Sequence, residues 1–292
     1  MAQPQKKINT NPTDPGALVV NEQVKGIPAA EMLRRSLALP GAPPFQAVLD
    51  NPCSGGVITA QLFKPEFASD KLSRVVAVDL DPGVVAFTSH RVTKEAGWAG
   101  KVEVLRAGQH PLPLPDSTFS HVFNNFAVSA PDDDATLKET LRLLQPGGVA
   151  GFTTWRNPAW WDAVAVPAVR NYIPGAPPLP GLAAIFPDRG WSDNATAEGR
   201  LTAAGFVDVV SQDFVFAPDV PADAFATACS GLVRAFIKFK WSPEENEQFS
   251  AKIAGAMQRH LEETAGGRWN AKMYAIITFG RKPGSKDRGA SL

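Results

Sequence analysis

From Phe45 onwards the chain alternates short apolar runs with helix-patterned stretches, and this alternation restricts its fold more than any other feature. A strand joined to the next strand through a helix-length segment makes a crossover, and successive crossovers build a parallel sheet with helices on both faces. FQAVLD (45–50), RVVAVDL (74–80), KVEVLRA (101–107), HVFNNF (121–126) and VAGFTTW (149–155) read as strands one to five. VDVVSQDF (207–214) and KMYAIITFG (272–280) read as two more. The expectation is a doubly wound α/β fold on a seven-stranded sheet.

Around that core the periodicity weakens. Residues 1–16 and 281–292 are rich in Pro, Gly, Ser and charge and are expected to be disordered ends. Residues 17–44 read as an N-terminal helical cap, with a helix from Ala29 to Leu39 stopped by PGAPP. The α/β core is expected over 45–155, a Pro/Trp-rich lid over 156–200, and the C-terminal part of the core, with a helical substrate cap, over 201–280.

The segment VLDNPCSGGVIT carries the chemistry: a strand ending in Asp50, a tight turn, and a helix start. Doubly wound folds bind ligands at this carboxyl edge of the sheet. The turn lacks the G-x-G-x-x-G pattern of dinucleotide enzymes, having only the pair Gly55 and Gly56, which argues against a nicotinamide cofactor. A single Asp at a strand end is more often a helix cap than a ligand. Asp50 and Asp79, closing neighbouring strands with a tight turn between them, favour the ligand. Asn125 and Phe126 end strand four, a position that faces substrate in such folds. Trp155, Trp160, Trp161, Tyr172 and Trp191 are irregularly spaced on the Pro-rich segment, which favours the lining of an apolar pocket over a helical core stripe.

Lys and Arg total 29 and Asp and Glu 29, a zero net charge that lacks the footprint of a nucleic-acid or anionic-membrane binder. The partner expected is a small molecule. The four histidines have no metal-ligand spacing, so no metal is expected; His110 alone lies near the expected site and, with Asn125, is a candidate catalytic residue. Two cysteines and a polar N-terminal stretch fit a reduced, cytoplasmic protein. Oligomeric state is not legible.

The order of landmarks resembles the class I S-adenosylmethionine (SAM)-dependent methyltransferases with their Rossmann-like sheet, and within them the fungal secondary-metabolite enzymes that include the gliotoxin thiol methyltransferase group. The family's D-x-G-x-G-x-G motif falls on Asp50, Pro52, Ser54 and Gly56, so the acid and last glycine match, while Asn51 and Cys53 agree with a D-N-x-C form of the subgroup. LPLPDSTFSHVF (112–123), LRLLQPGGVAGFTTW and RGWSDNATAEGRLTAAGFVDV resemble the family's later landmarks. The resemblance implies SAM as cofactor, bound through Asp50, Asn51, Cys53, Gly56 and Asn125, with Asp79 on the ribose hydroxyls and Leu80 on the adenine. Gly108 stands where the family places Asp or Asn for the adenine amino group, and Gln109 beside it offers an amide instead. The implied activity is methyl transfer to a thiol, amine or hydroxyl of a small, largely apolar secondary metabolite, with Phe126 and the aromatic residues named above as substrate contacts. Two alternatives stay open at this point: a SAM-binding protein that catalyses a cyclisation or rearrangement, and a non-enzymatic SAM-binding partner protein.

Overall fold

A computed structural model describes residues 15–108, 110–126, 133–185 and 190–284. In chain order its elements are α1 (Pro15–Ala38), β1 (Ala47–Asp50), α2 (Val57–Leu62), β2 (Arg74–Asp79), α3 (Pro82–Lys94), β3 (Val102–Arg106), β4 (Phe119–Asn125), α4 (Asp133–Leu143), β5 (Leu144–Asn157), α5 (Val166–Tyr172), α6 (Leu182–Ile185), α7 (Asn194–Ala204), β6 (Val207–Phe216), β7 (Val220–Pro221), α8 (Ala222–Ile237), α9 (Pro243–Phe249), α10 (Ile253–Thr264), β8 (Arg268–Trp269) and β9 (Met273–Arg281). Seven of the strands form one sheet in the order β3-β2-β1-β4-β5-β9-β6. The pairings β1–β2, β1–β4, β2–β3 and β4–β5 are parallel, and β9 runs antiparallel to β5. This is the doubly wound, seven-stranded Rossmann-like sheet the alternation implies.

Neighbouring residues of one strand feed opposite cores, which explains why the strands read as unbroken apolar runs. Val48, Val75 and Phe123 join Met32 and Ile58 in one core; Leu49, Val76 and Val122 join Leu137 and Leu201 in the other. The strand order reverses direction between β1 and β4, so the carboxyl ends of these two strands flank the crevice where open α/β sheets take ligands.

The chain divides into two compact units. The sheet unit takes Lys25–Asn157, Arg189–Phe216 and the chain from Tyr274; the helical unit takes the chain up to Val24, Pro158–Asp188 and Ala217–Met273. Within the helical unit α10 packs on α8 and α5, and a two-stranded ribbon pairs β7 with β8. The expected lid 156–200 is therefore not one body. Its later part forms α7, whose Ala197 and Leu201 are buried against the sheet, whereas its earlier part belongs to the helices.

Two further expectations change. The N-terminal helix starts at Pro15 rather than Ala29, because Ala17, Leu18, Val20 and Val24 continue the buried stripe of Ala29, Met32 and Leu33 through Pro28. Of the expected disordered ends, residues 1–14 and 285–292 lie outside the described residues; Arg281 closes β9, and the Lys282 N–H donates to Gly148 O at 2.9 Å.

Trp191 belongs to the second core. Its ring lies 6.4 Å from Phe152 and under the Arg200 guanidinium at 5.3 Å, and its indole N–H donates to Asp133 Oδ2 at 2.6 Å. A buried carboxylate that loses a donor retains its desolvation cost. Trp191→Phe is thus expected to lower stability by about 1–3 kcal/mol in urea unfolding; a change below about 0.5 kcal/mol, the scale of a neutral surface substitution, would show that the bond is dispensable.

Candidate cofactor site

The β1–α2 turn is built by backbone hydrogen bonds to the neighbouring strands. Asn51 N–H donates to Phe123 O at 3.0 Å and Cys53 N–H to Val78 O at 2.7 Å, while Gly56 and Val57 N–H close back on Cys53 O. Ser54, Gly55 and Gly56 follow in succession at φ 50, 91 and 85. Left-handed backbone costs a non-glycine residue about 1–2 kcal/mol, so Ser54 is strained where the family motif has glycine. Its N–H is aimed at Asp79 Oδ2, 3.1 Å away. At Gly56 a Cβ would stand 3.0 Å from the Trp98 ring, which wedges beneath the turn. Arg91 ties these parts together, donating to Gly55 O at 2.9 Å while its guanidinium lies 4.9 Å from the Trp98 ring centre.

Asp50 is fully buried at the end of β1. Its Oδ2 accepts from Thr59 N–H at 3.0 Å and Thr59 Oγ at 2.9 Å, and its Oδ1 has no partner. Burial raises this carboxyl to about 8, opposed by the two Thr59 bonds and reinforced by the charge of Asp79. Asp79, at the end of β2, accepts from Ser54 N–H at Oδ2 and from Asp81 N–H at Oδ1, 3.1 Å each, and burial likewise raises its pKa. Leu80 next to it stays 57% exposed. Gly108 presses its backbone on that side chain: a Cβ there would stand 2.6 Å from Leu80 Cβ. Asp79, the left-handed turn and the exposed Leu80 face on Gly108 thus lie at the carboxyl ends of β1 and β2, while the unpartnered Asp50 oxygen is buried.

The other anticipated residues are placed differently. The Cys53 side chain is buried, its thiol 3.7 Å from Thr88 Oγ and its pKa pushed up by burial. Gln109 lies outside the described residues. His110 is exposed, with Nε2 3.3 Å from Thr136 Oγ. Asn125 Oδ1 accepts from Thr153 Oγ at 2.6 Å, and the same hydroxyl accepts from Phe126 N–H at 2.9 Å. This clasp holds Phe126 at φ 55, a region bulky residues rarely adopt, with its ring stacked 3.9 Å from Trp155. Trp155 also stacks on Phe216 at 6.2 Å.

The six aromatic residues are divided between the two units. Phe126, Trp155 and Trp191 belong to the sheet unit, Trp160, Trp161 and Tyr172 to the helical one. Trp161 is fully buried, its indole N–H donating to Pro180 O at 2.9 Å, and Trp160 packs on Phe225; both are packing residues of their unit, as Trp191 is of the sheet unit. The Tyr172 hydroxyl donates to Glu263 at 2.8 Å. Sequence reasoning missed Thr59, Arg91, Trp98 and Thr153, since each acts through tertiary contact that no local pattern announces.

Two outcomes follow for the turn. Gly56→Ala is expected to destabilise by about 1–3 kcal/mol in urea unfolding, through the positive φ and the Trp98 contact. Asp50 binds its proton more tightly folded than unfolded, so its contribution to stability is complete below about pH 4 and is lost as pH rises through about 8. Asp50→Asn should reduce the fall in stability across that window by up to about 1.4 kcal/mol per pH unit; an unchanged slope would assign it to other groups, Asp79 first.

A family model described as a methyltransferase domain matches residues 48–148. The chain is 31% identical over 242 residues to methyltransferase tpcH of Aspergillus fumigatus, spanning 81% of this chain and 84% of that protein. It is 28% identical over 280 residues to methyltransferase ktnA of Aspergillus niger, spanning 87% and 90%. With the acetylaranotin bis-thiomethyltransferase of Aspergillus terreus it shares 25% identity over 245 residues, spanning 81% and 82%. The chain belongs to the class I SAM-dependent methyltransferases, in the group that includes these Aspergillus enzymes.

Proposed function

We propose that this methyltransferase methylates a nucleophilic heteroatom, a thiol, amine or hydroxyl, on a small and largely apolar secondary metabolite. Asp50 and Asp79 at the ends of adjacent parallel strands, with the Ser54 N–H of the turn between them donating to Asp79, are the observation that carries the cofactor half of this reading. Asp79 is assigned to the ribose hydroxyls, the Leu80–Gly108 face to the adenine, and the turn 50–56 to the amino-acid end. SAM supplies a methyl group already activated on a sulfonium. What the chain must add is alignment and exclusion of water, which contribute about 7–11 kcal/mol where positioning is good.

The apolar acceptor is supported by Phe126, half-exposed at the carboxyl end of β4 and held in a strained conformation by the Asn125–Thr153 clasp. Observed strain of this kind motivates a functional assignment. Likeness to a protein named for methylating thiols puts the thiol first among the three acceptors. Asn125 then acts through Phe126 rather than on the acceptor.

The test has two parts. Calorimetry should show S-adenosylhomocysteine binding that weakens at least tenfold in Asp79→Ala; unchanged binding would remove Asp79 from the site. Labelled SAM offered with panels of small apolar thiols, amines and phenols should pass its methyl group to at least one class. Phe126→Ala should raise KM for that acceptor more than KM for SAM, and an equal rise in both would place Phe126 on the cofactor side.

A further inference from the structure

Among the described residues the connection from β3 to β4 carries no helix, whereas the connections β1 to β2, β2 to β3 and β4 to β5 carry α2, α3 and α4. The described residues 107–108 and 110–118 therefore have to satisfy their backbone by other means. One face of α4 does this. Thr136 Oγ meets His110 Nε2 at 3.3 Å. One turn on, Glu139 Oε1 accepts from Leu112 N–H at 2.7 Å. Arg142 donates to Leu112 O at 3.2 Å and to Leu114 O at 2.9 Å, and forms ion pairs with Glu139 and with Asp116. The spacing of three residues between 136, 139 and 142 puts all three side chains on one stripe of the helix.

What this stripe holds leads directly to the ligand edge. Leu112, clamped at both its N–H and its carbonyl, lies four residues beyond Gly108, and Gly108 is flush against Leu80. At the other end of the segment Ala107 N–H donates to Asp79 O at 3.0 Å. The wall is thus tied to β2 on one side and to Arg142 and Glu139 on the other. The side chains of Leu112 and Leu114 are buried in the second core, so the segment cannot slide without opening it. Burial pushes Glu139 up, but the Arg142 and Leu112 bonds and the charges of Arg142 and His110 outweigh it and hold the carboxyl below its usual range, so the pair stays ionised at neutral pH.

We propose that Arg142, acting with Glu139, is a positioning residue that sets the adenine wall of the SAM site from outside it, by clamping residues 110–116 so that Gly108 lies on Leu80. This rests on assigning the Leu80–Gly108 face to adenine. A guanidinium suits the task because its planar fork reaches two carbonyls and two carboxylates at once, which an ammonium cannot.

The experiment compares Arg142→Ala, Arg142→Lys and Gly108→Ala with the native enzyme, each checked for folding by thermal unfolding. For Arg142→Ala the expected result is at least a tenfold rise in both the calorimetric Kd for S-adenosylhomocysteine and KM for SAM. Saturating kcat and the acceptor KM should stay within twofold, and millimolar guanidinium should restore part of the binding. Preference for S-adenosylhomocysteine over S-inosylhomocysteine, which differs at the adenine amino group, should shrink. Arg142→Lys should fall between native and Ala, and serves alone if Arg142→Ala does not fold. A folded Arg142 variant whose Kd stays within twofold, or whose acceptor KM rises equally, overturns the proposal. If Gly108→Ala also binds as the native enzyme does, the adenine assignment itself fails; if only Gly108→Ala loses binding, the assignment stands and the positioning role falls.

Discussion

Closure of the β1–α2 turn against the end of β2 is the interaction on which the ligand edge depends. The N–H groups of Cys53 and Ser54 reach Val78 O and the Asp79 carboxylate, so the ends of two strands are set relative to each other by main-chain bonds. Those bonds require three left-handed residues in a row, one of them a serine, and they draw two carboxyl groups into an interior that penalises their charge. Strain and desolvation are both carried at this one place, while Trp98, Arg91 and Thr59 hold it from beneath. A local conflict of that kind is tolerated where the rest of the fold is consistent with itself.

Legibility in the sequence followed the range of the forces involved. Six of the seven sheet strands were readable to within two residues at each end, because strands covered on both faces leave uninterrupted apolar runs such as VLD and RVVAVD, while β5 starts at Leu144, five residues before the expected Val149. The first half of α1 was not readable, since Gly26-Ile27-Pro28 looks like a stop and only tertiary burial of Leu18 and Val24 reveals the continuation. Within the site, Asp50 and Asp79 were legible as strand-end acids. Trp98, more than forty residues from the turn it supports, was not. The aromatic residues show the limit most clearly: nothing in the spacing of Trp155, Trp160, Trp161 and Trp191 tells which of two bodies each will join, and their partners, Asp133 for one and Pro180 for another, lie far along the chain.

The landmarks LPLPD and RLLQPGG acquire a physical reason. They are the two halves of one assembly, in which the leucines enter the core and the arginine takes the carbonyls they leave behind. Lys282 completes it from the far end of the chain, donating to Leu144 O and Arg142 O just past the end of α4. Either half alone would leave buried polar backbone without partners.

Strand order also has a consequence for biosynthesis. β9, the last strand of the sheet to leave the ribosome, takes its place between β5 and β6, with Gly151 opposite Phe279 and Thr153 opposite Ile277. Until residues 273–281 have emerged, β5 presents an open edge of unpaired main-chain groups, and β6 has no neighbour in the sheet. Nascent chains in that condition offer unpaired edges to one another, so docking of β9 closes the edge through which they could pair wrongly.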